Sequence, residues 1–268
     1  MPIRDELGTR MKEFYENIPK TKLMRRTPVA IRIDGKAFHT FTKGFDKPFD
    51  GILIESMQKT MKYLCENIQG CVLGYTQSDE ITLILIDYQK LTSCAWFDYE
   101  IQKICSVSSS MATMAFNFYF QDIISKYFNS NDYTRLPYWK SKSITDSYFD
   151  IGFFKLAMFD SRCFNIPKEE VANLIYWRQL DATRNSIQMV GQSQFSHKEL
   201  QGKSCNQIQD MLMIQKNINW NDLPTTQKRG SCCIKKDNSW IIDTEIPIFK
   251  NEGRNYIEKL IYIEDENK

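Results

Sequence analysis

The chain has 268 residues, and 42% of them are hydrophobic, which is enough to bury one large core or two small ones. The formal net charge is only +2 at pH 7, so nucleic-acid binding would depend on local basic patches rather than on a strongly basic surface. Eight cysteines without C-x-x-C spacing and two histidines argue against a zinc site. The sequence has no apolar signal segment and no apolar run of about 18 residues, so we expect a cytoplasmic protein with reduced thiols and leave a mitochondrial location open.

The N-terminal part predicts a helix followed by a strand. Residues 3–17 have an amphipathic pattern, with an apolar stripe formed by Leu7, Met11, Phe14 and Tyr15. The basic segment 20–26 could be a solvated loop or could contact phosphate. Residues 29–35 alternate apolar and other side chains with a period of two, as a β-strand does. Asp34 lies at the end of this strand, and Gly35 allows the backbone to approach a ligand closely.

A helix and a β-hairpin are predicted next. Asp50 is a suitable N-cap for a helix that has apolar residues at intervals of three and four and ends near Gly70. Residues 71–86 predict a hairpin with a polar turn and a second strand that is buried on both faces. Asp79 and Glu80 lie where the apolar run of that strand begins, and carboxylates there are costly unless a positive charge meets them. A divalent cation is the simplest candidate, and a merely polar turn is the alternative.

The remaining pattern completes a β-α-β-β-α-β order. A long helix is predicted over residues 96–127, a loop over 130–150, and a strand over 153–164 that is interrupted near Asp160 and Ser161. The last predicted elements are a helix from Pro167 to about Val190, short helices capped by Ser196 and Ser204, and strands over 229–235 and 239–243.

This order is typical of an α+β fold with a palm-like, ferredoxin-type antiparallel sheet and packed helices. We expect a palm-like catalytic core over residues 1–165 and a C-terminal extension of helices and short strands over residues 166–268, together in one compact unit. Palm domains carry carboxylates on the first strand and on the central hairpin, where this chain has Asp34 and Asp79. Two such aspartates could bind two Mg²⁺ ions, which prefer oxygen ligands and substrate phosphates. A pair of metal ions suits phosphoryl or nucleotidyl transfer.

Several motifs resemble those of the tRNA-His guanylyltransferase superfamily, particularly its Thg1-like proteins, which are 3′-to-5′ nucleotide-adding polymerases. The resemblance rests first on the segments Arg32–His39 and Gly74–Glu80. It continues in the same order through Trp96-Phe97 with Lys103, Phe159–Arg162, Trp177–Asp181 and Lys228–Gly230. An isolated R-x-D-G would be weak, but the ordered set runs through most of the chain and is specific.

The resemblance implies a metal site and a nucleotide site. Asp34, the backbone carbonyl of Gly35 and Asp79 would hold two Mg²⁺ ions, and Glu80, the third catalytic acid, would support them or join them as an occasional ligand. ATP, GTP or another nucleoside triphosphate would be bound by Asp34, Gly35, Lys36, Ala37, Phe38, His39, Lys47, Ser78, Asp79 and Lys103. Lys103 could instead be a surface lysine, and His39 could be a residue at the edge of the core. The family also implies a homotetramer.

The chemistry of the family requires an activated RNA 5′ end. A 5′-monophosphate is activated by ATP, or a 5′-triphosphate serves directly, and the 3′-hydroxyl of the incoming nucleotide attacks the activated phosphate. Metal ions lower the pKa of this hydroxyl and neutralise the developing charge, so no side-chain nucleophile is needed.

One departure from the family pattern affects the expected substrate. Members that act on tRNA-His carry His-Ile-Asn-Asn after the Trp-Arg-Gln motif, whereas this chain has Thr183 in place of the histidine and retains only Asn185. The chain therefore resembles the branch that repairs 5′-truncated tRNA by template-directed addition. Candidate RNA contacts, each of which could instead be a surface or ion-paired residue, are Arg178, Arg184, Asn185, Lys228 and Arg229.

Three other functions stay open at this point. The first is the addition of one guanosine to tRNA-His, as in the guanylyltransferases. The second is a palm-type nucleotide cyclase, although the hairpin lacks the Gly-Gly-Asp-Glu-Phe sequence of the diguanylate cyclases. The third is a non-catalytic RNA-binding module, against which both acids, Asp34 and Asp79, argue.

Overall fold

The computed structural model describes residues 6–129 and 156–263 of the chain. Its strands are β1 Val29–Gly35, β2 Cys71–Gln77, β3 Glu80–Leu85, β4 Phe159–Asn165, β5 Ser231–Lys236 and β6 Ser239–Asp243. Its α-helices are α1 Glu6–Met11, α2 Phe38–Phe41, α3 Gly51–Asn67, α4 Ile101–Asn129, α5 Lys168–Gln194, α6 His197–Leu200, α7 Cys205–Lys216, α8 Thr225–Arg229 and α9 Asn255–Ile261. The predicted loop over 130–150 and the first residues of the predicted strand over 153–164 lie outside the described residues.

The described strands form one antiparallel sheet in the order β4-β1-β3-β2-β5-β6. Strands β1 to β4 have the order of a ferredoxin-type unit, and the predicted α+β fold class is confirmed. Strand β5 pairs with β2, and β6 pairs with β5, so both extend the same sheet. The boundary expected after residue 165 therefore separates strands that belong to a single hydrogen-bonded sheet.

Helices cover both faces of the sheet because its central strands carry apolar side chains on both sides. Ile31 of β1 belongs to the core formed with α3 and α4, whereas the adjacent Ala30 belongs to the core formed with α5 and α9. This alternation follows from the period of two along a strand. It also places Arg32 and Asp34 on the face toward α5, at the end of β1 where the functional residues are expected.

Strand β4 and helix α4 differ from the sequence-based predictions. Strand β4 runs without the expected interruption, since Asp160 and Ser161 both keep their register with β1. The hydroxyl groups of Ser161 and Ser108 on α4 lie 2.7 Å apart in a hydrogen bond, which satisfies a polar residue inside the strand. Helix α4 begins at Ile101 rather than near residue 96, because the positive φ angle of Phe97 breaks the helical path there.

The predicted helix caps are confirmed by their hydrogen bonds. The Asp50 carboxylate accepts a 2.8 Å bond from a backbone N–H in the first turn of α3. Ser196 and Ser204 both form the predicted capping boxes, in which their partners are Glu199 and Gln207. The Asp50 cap matters most for function, because it fixes the start of α3 beside the cleft described below.

The N-terminal helix is less regular than predicted, and residues 3–5 of its predicted range lie outside the described residues. Helix α1 ends at Met11 and continues as a π-helical turn, and neither segment contains a buried residue. The residues of its predicted apolar stripe are all exposed: Leu7, Met11, Phe14 and Tyr15. Such a stripe on a protein surface is often covered by another molecule. Among the described residues, no helix combines the length and the apolar character needed to cross a membrane.

Candidate active site

The end of β1 lies beside the turn of the β2–β3 hairpin. Asp34 pairs in register with Glu80, and the backbone N–H of Gly35 donates a 3.0 Å hydrogen bond to the carbonyl oxygen of Asp79. Ser78 and Asp79 form the turn, in which the Ser78 hydroxyl donates a 3.0 Å bond to the Asp79 carboxylate. The pairing of β1 with β3 therefore brings the two predicted metal-binding aspartates together at the same end of these central strands.

Three carboxylates form a row across β4, β1 and β3. Asp160 pairs with Asp34 on one side, and Glu80 pairs with Asp34 on the other. Arg162 of β4 lies 3.0 Å from the Asp160 carboxylate and 4.0 Å from that of Asp34. The row is thus partly neutralised at its β4 end, where the side chains are exposed to solvent.

Glu80 is the buried member of this row and is held by two arginines. The guanidinium of Arg178 on α5 donates two hydrogen bonds of 2.7 Å to its carboxylate, and Arg32 donates one of 2.6 Å. Only 4% of Glu80 is exposed. Because both carboxylate oxygens are already engaged, this arrangement favours the supporting role of Glu80 over direct contact with substrate.

Burial and nearby negative charge raise the pKa values of both strand-end aspartates. For Asp34, burial is the main cause and the charge of Glu80 comes next, while Arg32 acts in the opposite direction. For Asp79, burial again dominates, the hydrogen bond from Ser78 partly opposes it, and the charge of Asp34 adds to the increase. Raised carboxyl pKa values mark a position where a bound cation would be favourable.

The available donor atoms fit Mg²⁺ better than a softer metal. The two aspartates and the carbonyl of Gly35 offer only oxygen, and the described residues contain no cluster of three His, Cys, Asp or Glu side chains that could hold a metal. Mg²⁺ is commonly held by one or two carboxylates and completes its shell with water and substrate phosphates. The residues present therefore fit magnesium brought together with a nucleotide.

A cleft of ≈ 470 Å³ opens beside these aspartates. Its lining includes seven residues predicted to bind nucleotide: Gly35, Ala37, Phe38, His39, Lys47, Ser78 and Asp79. A Cβ atom on Gly35 would lie 2.2 Å from a ring carbon of Phe38, so the tight turn after β1 requires glycine. Phe38 is buried, and it anchors this turn to the core.

Two of the predicted nucleotide-binding lysines lie elsewhere. The backbone N–H of Lys36 donates a 2.8 Å bond to the carbonyl of Met158, and Lys36 does not line the cleft. The ammonium group of Lys103 lies over the ring of Phe97, 5.3 Å from its centroid. Lys103 is two residues before Cys105, which meets Cys163 toward the end of β4 that lies away from Asp34, so the structure does not bring Lys103 to the cleft.

A smaller cavity of ≈ 80 Å³ adjoins the cleft across Ser78. Apolar residues of α3 and α5 form much of its wall, together with the side chains of Gln77 and Asn185. Thr183 lies close by on α5, and its hydroxyl donates a 3.4 Å hydrogen bond to the carbonyl of Lys228. The segment that departs from the His-Ile-Asn-Asn pattern is thus next to the site.

Comparison with known protein families shows which family has this site. A family profile described as tRNA(His) guanylyltransferase matches residues 8–167, which is more than half of the chain. The chain belongs to the tRNA(His) guanylyltransferase family. The match includes both aspartates, the turn after β1 and the hairpin. The members of this family are nucleotidyltransferases, and the predicted enzyme class is confirmed.

Solved structures and curated relatives of the family agree with this assignment. A bacterial tRNA(His) guanylyltransferase-like protein in complex with ATP is 46% identical, covers 96% of this chain and 100% of its own, and superposes with a TM-score of 0.80. A second such bacterial structure, in complex with GTP, is 41% identical, covers 97% and 100%, and has a TM-score of 0.75. The tRNA(His) guanylyltransferase of Schizosaccharomyces pombe is 27% identical over 84% of this chain and 80% of its own length.

The predicted RNA contacts of this family member differ in exposure. Arg178 is only 5% exposed and is bound to Glu80 and Asp181, so its burial speaks against the predicted contact with RNA. Arg184 is exposed and pairs with Asp181, and it stays a candidate. The carboxylate of Asp181 also accepts a long bond from the amide of Asn185.

The two candidates on α8 have their own contacts. The ammonium group of Lys228 donates a hydrogen bond to the carbonyl of Asn221. The Nε atom of Arg229 is buried and has no hydrogen-bond partner within the described ranges, and its backbone carbonyl accepts a 2.7 Å bond from the hydroxyl of Tyr75. Both residues lie beside Gly230, which lines the smaller cavity.

The sequence analysis placed Asp160, Arg162 and Trp177 in motifs shared with the family but assigned none of them a role in the site. Asp160 and Arg162 are two positions apart on an edge strand, so they share the face on which Asp34 lies. The two-residue spacing would have predicted this shared face if β4 had been taken as a continuous strand. Beyond its place in the Trp177–Asp181 motif, the role of Trp177 had no local signal, because its position against Arg32 depends on how α5 crosses the sheet.

Proposed function

We propose that this family member adds nucleotides to the 5′ end of truncated tRNA in the 3′-to-5′ direction, directed by the opposing strand of the acceptor stem. The main support is the convergence of Asp34 and Asp79 at a cleft lined by the turn 35–39 and Lys47. The ATP and GTP complexes of the two bacterial relatives are consistent with a nucleotide in this cleft.

The nucleoside triphosphate occupies the cleft in this proposal. Backbone N–H groups of the turn that follows β1 donate hydrogen bonds to phosphate oxygens, as such concave backbone segments do. Lys47 provides a positive charge at the cleft wall, and His39 contacts the nucleotide without a role in proton transfer. Asp34, the carbonyl of Gly35 and Asp79 would hold two magnesium ions, which would neutralise developing charge and lower the pKa of the attacking hydroxyl.

The bonds formed and broken balance without a protein nucleophile. The 3′-hydroxyl oxygen of the incoming nucleotide forms a bond to the 5′ phosphorus of the RNA. Pyrophosphate leaves if the RNA carries a 5′-triphosphate, and AMP leaves if the 5′-monophosphate was first activated by ATP. The hydroxyl proton passes to solvent. Glu80 does not take this proton, because Arg178 and Arg32 occupy its carboxylate.

The choice of truncated tRNA rests on Thr183. A threonine lacks the ring donor and the stacking face of the histidine found in guanylyltransferases. In this chain its hydroxyl is directed to the carbonyl of Lys228. Selectivity then comes from base pairing, so the nucleotide that pairs with the opposing base is added and the reaction stops when the stem is complete.

The test compares 5′-truncated tRNAs bearing each template base with intact tRNA-His, using all four nucleoside triphosphates. We expect magnesium-dependent incorporation into truncated tRNA, with the added nucleotide changing when the template base is changed. Guanosine addition to intact tRNA-His that is faster than every repair reaction would instead support the activity named by the family profile. Cyclic nucleotide formation without RNA would contradict both.

We also propose that the protein assembles as a homotetramer in the cytoplasm. The exposed apolar stripe of α1 and the following turn supports self-association, because the described part of the chain buries none of it. Light scattering after size exclusion should give a multiple of the 31.6 kDa chain mass, and Phe14→Ser with Tyr15→Ser should reduce it. A monomeric mass at micromolar concentration would contradict this proposal.

A further inference from the structure

Helix α5 leaves one stripe of side chains uncovered beside the active site. Trp177, Leu180 and Arg184 lie three to four residues apart and therefore share a face of the helix. All three are exposed, and Trp177 has 53% of its surface accessible. The two adjacent exposed apolar side chains, Trp177 and Leu180, lie among charged residues, and such a polar-rimmed apolar surface is typical of contact with another molecule.

Trp177 is nevertheless held in a defined position by the ion-pair network around Glu80. The guanidinium carbon of Arg32 lies 5.7 Å from the centroid of its ring, and that of Arg178 lies 4.6 Å away. Both arginines are fixed by hydrogen bonds to the buried Glu80 carboxylate. The indole ring is thus packed against immobile cations and stays partly open to solvent, which lowers the entropy cost of binding a planar ligand.

The exposed ring lies next to the predicted metal-binding carboxylates. Asp34 is two residues after Arg32 on the same face of β1, a separation of about 6.6 Å along the strand. On the neighbouring edge strand, the side chains of Asp160 and Arg162 are more than half exposed. The exposed side chains of Asp160 and Arg162 therefore share the face of the sheet on which Asp34 lies and on which Arg32 contacts Trp177.

We propose that Trp177 is a stacking platform for an unpaired nucleobase of the RNA substrate, next to the 5′ end that reacts. This inference rests on the proposed function. A truncated acceptor stem has template nucleotides whose partners are missing, so their bases lack one stacking neighbour. Stacking on an aromatic ring accepts any base, as template-directed addition of all four nucleotides requires.

Exposed arginines on both sides of the ring can contact the phosphates of the same strand. Arg184 is paired with the partly exposed Asp181, and Arg162 is paired with the exposed Asp160 and, at 4.0 Å, with the partly exposed Asp34. Such surface pairs are weak, so exchanging the acid for an RNA phosphate costs little. Arg178 and Arg32 do not take this role because Glu80 holds them.

A coupling experiment between protein and RNA tests the proposal. Fluorescence anisotropy would measure the dissociation constant for a 5′-truncated acceptor-stem RNA that carries either a normal nucleotide or an abasic one at the unpaired template position. For the wild-type protein we expect the abasic RNA to bind about 5- to 150-fold more weakly. Trp177→Leu should bind both RNAs equally weakly, and Trp177→Phe should recover most of the difference.

The matched control is Phe118→Leu, which removes an exposed aromatic ring from α4 on the other face of the sheet. It should bind both RNAs as the wild type does. The stacking role would be overturned if Trp177→Leu and the abasic nucleotide weakened RNA binding additively, or if the wild type bound the two RNAs equally. A changed oligomeric mass of Trp177→Leu would overturn it as well. If Trp177→Leu does not fold, the dissociation constants of the wild type and of Trp177→Phe for the two RNAs still test the stacking role. Absence of nucleotide addition by the wild type would contradict the proposed function separately.

Discussion

The guanidinium group of Arg178 donates two hydrogen bonds of 2.7 Å to the carboxylate of Glu80, and both residues are buried. This pair joins helix α5 to the residue that directly follows Asp79. Arg178 also reaches the carboxylate of Asp181 at 3.0 Å, so a continuous network ties the helix to the site. The position of the hairpin turn, and hence of Asp79, therefore depends on a helix that is distant in sequence.

Breaking this pair should destabilise the protein strongly. In Arg178→Met, the buried Glu80 would keep Arg32 as an ion-pair partner and the Thr82 hydroxyl as a hydrogen-bond donor, and loss of one partner of a buried ion pair typically costs about 3–5 kcal/mol. Urea denaturation should show this decrease in the free energy of unfolding. The control is Arg184→Met, which breaks an exposed pair with Asp181 and should change stability by about 1 kcal/mol or less. Equal effects of the two variants would show that the Glu80 network is not structurally important.

Asp34→Asn should abolish nucleotide addition and, without magnesium, stabilise the protein at neutral pH. Because the folded-state pKa of Asp34 is raised, its ionised form costs stability above that pKa. The cost decreases as the pH falls through the raised pKa and disappears below the ordinary value. The stability advantage of Asp34→Asn over the wild type should therefore shrink from pH 7 toward pH 4. Thermal unfolding across this range measures it, and an advantage that grows on acidification would contradict the sign of the shift.

Asp79→Asn should likewise abolish addition, and the pKa shift of Asp79 adds a pH dependence to metal binding. Protonation of Asp79 removes a ligand charge, and its raised pKa places this event above the usual range for aspartate. The magnesium concentration needed for half-maximal incorporation should therefore rise as the pH is lowered. Near-normal incorporation by the purified Asp79→Asn variant would be incompatible with the two-metal site.

Two of the three lysines expected to bind nucleotide, Lys47 and Lys103, should behave differently. Lys47→Ala removes a charge from the wall of the cleft and should weaken nucleoside triphosphate binding about 10- to 150-fold, as the loss of a contact worth about 1.5–3 kcal/mol implies. Lys103→Ala should leave nucleotide affinity unchanged, because Lys103 packs over Phe97 away from the cleft. Isothermal titration with a non-hydrolysable nucleotide distinguishes them. A larger effect at Lys103 would restore the role that the family resemblance implied for it.

Gly35→Ala should damage both the fold and the nucleotide site. The added Cβ would lie 2.2 Å from the ring of Phe38, which is packed among other aromatic rings and cannot move freely. Overpacking of this kind typically costs about 1–3 kcal/mol. Gly51→Ala is the matched control, since no atom lies within 4 Å of the added Cβ. Urea denaturation and nucleotide titration should both separate the two variants, and an unaffected Gly35→Ala would mean that the turn adapts readily.

Local patterns in the sequence determined the secondary structure and part of the site. The period of two in residues 29–35 and the polar turn at Ser78 predicted β1 and the hairpin, and the cap at Asp50 predicted the start of α3, because these features depend on neighbours a few residues apart. The pairing of β1 with β3 then made the proximity of Asp34 and Asp79 predictable from the palm-like order of elements.

Only the tertiary structure decided the partners of the charged residues. A basic residue has the same local pattern whether it is exposed, like Arg184, or buried against a carboxylate 98 positions away, like Arg178. The register of the edge strand likewise placed Asp160 beside Asp34, and the direction of α4 carried Lys103 away from the cleft. The reason is physical: burial of a charge is settled by long-range packing, which brings together groups that share no sequence neighbourhood.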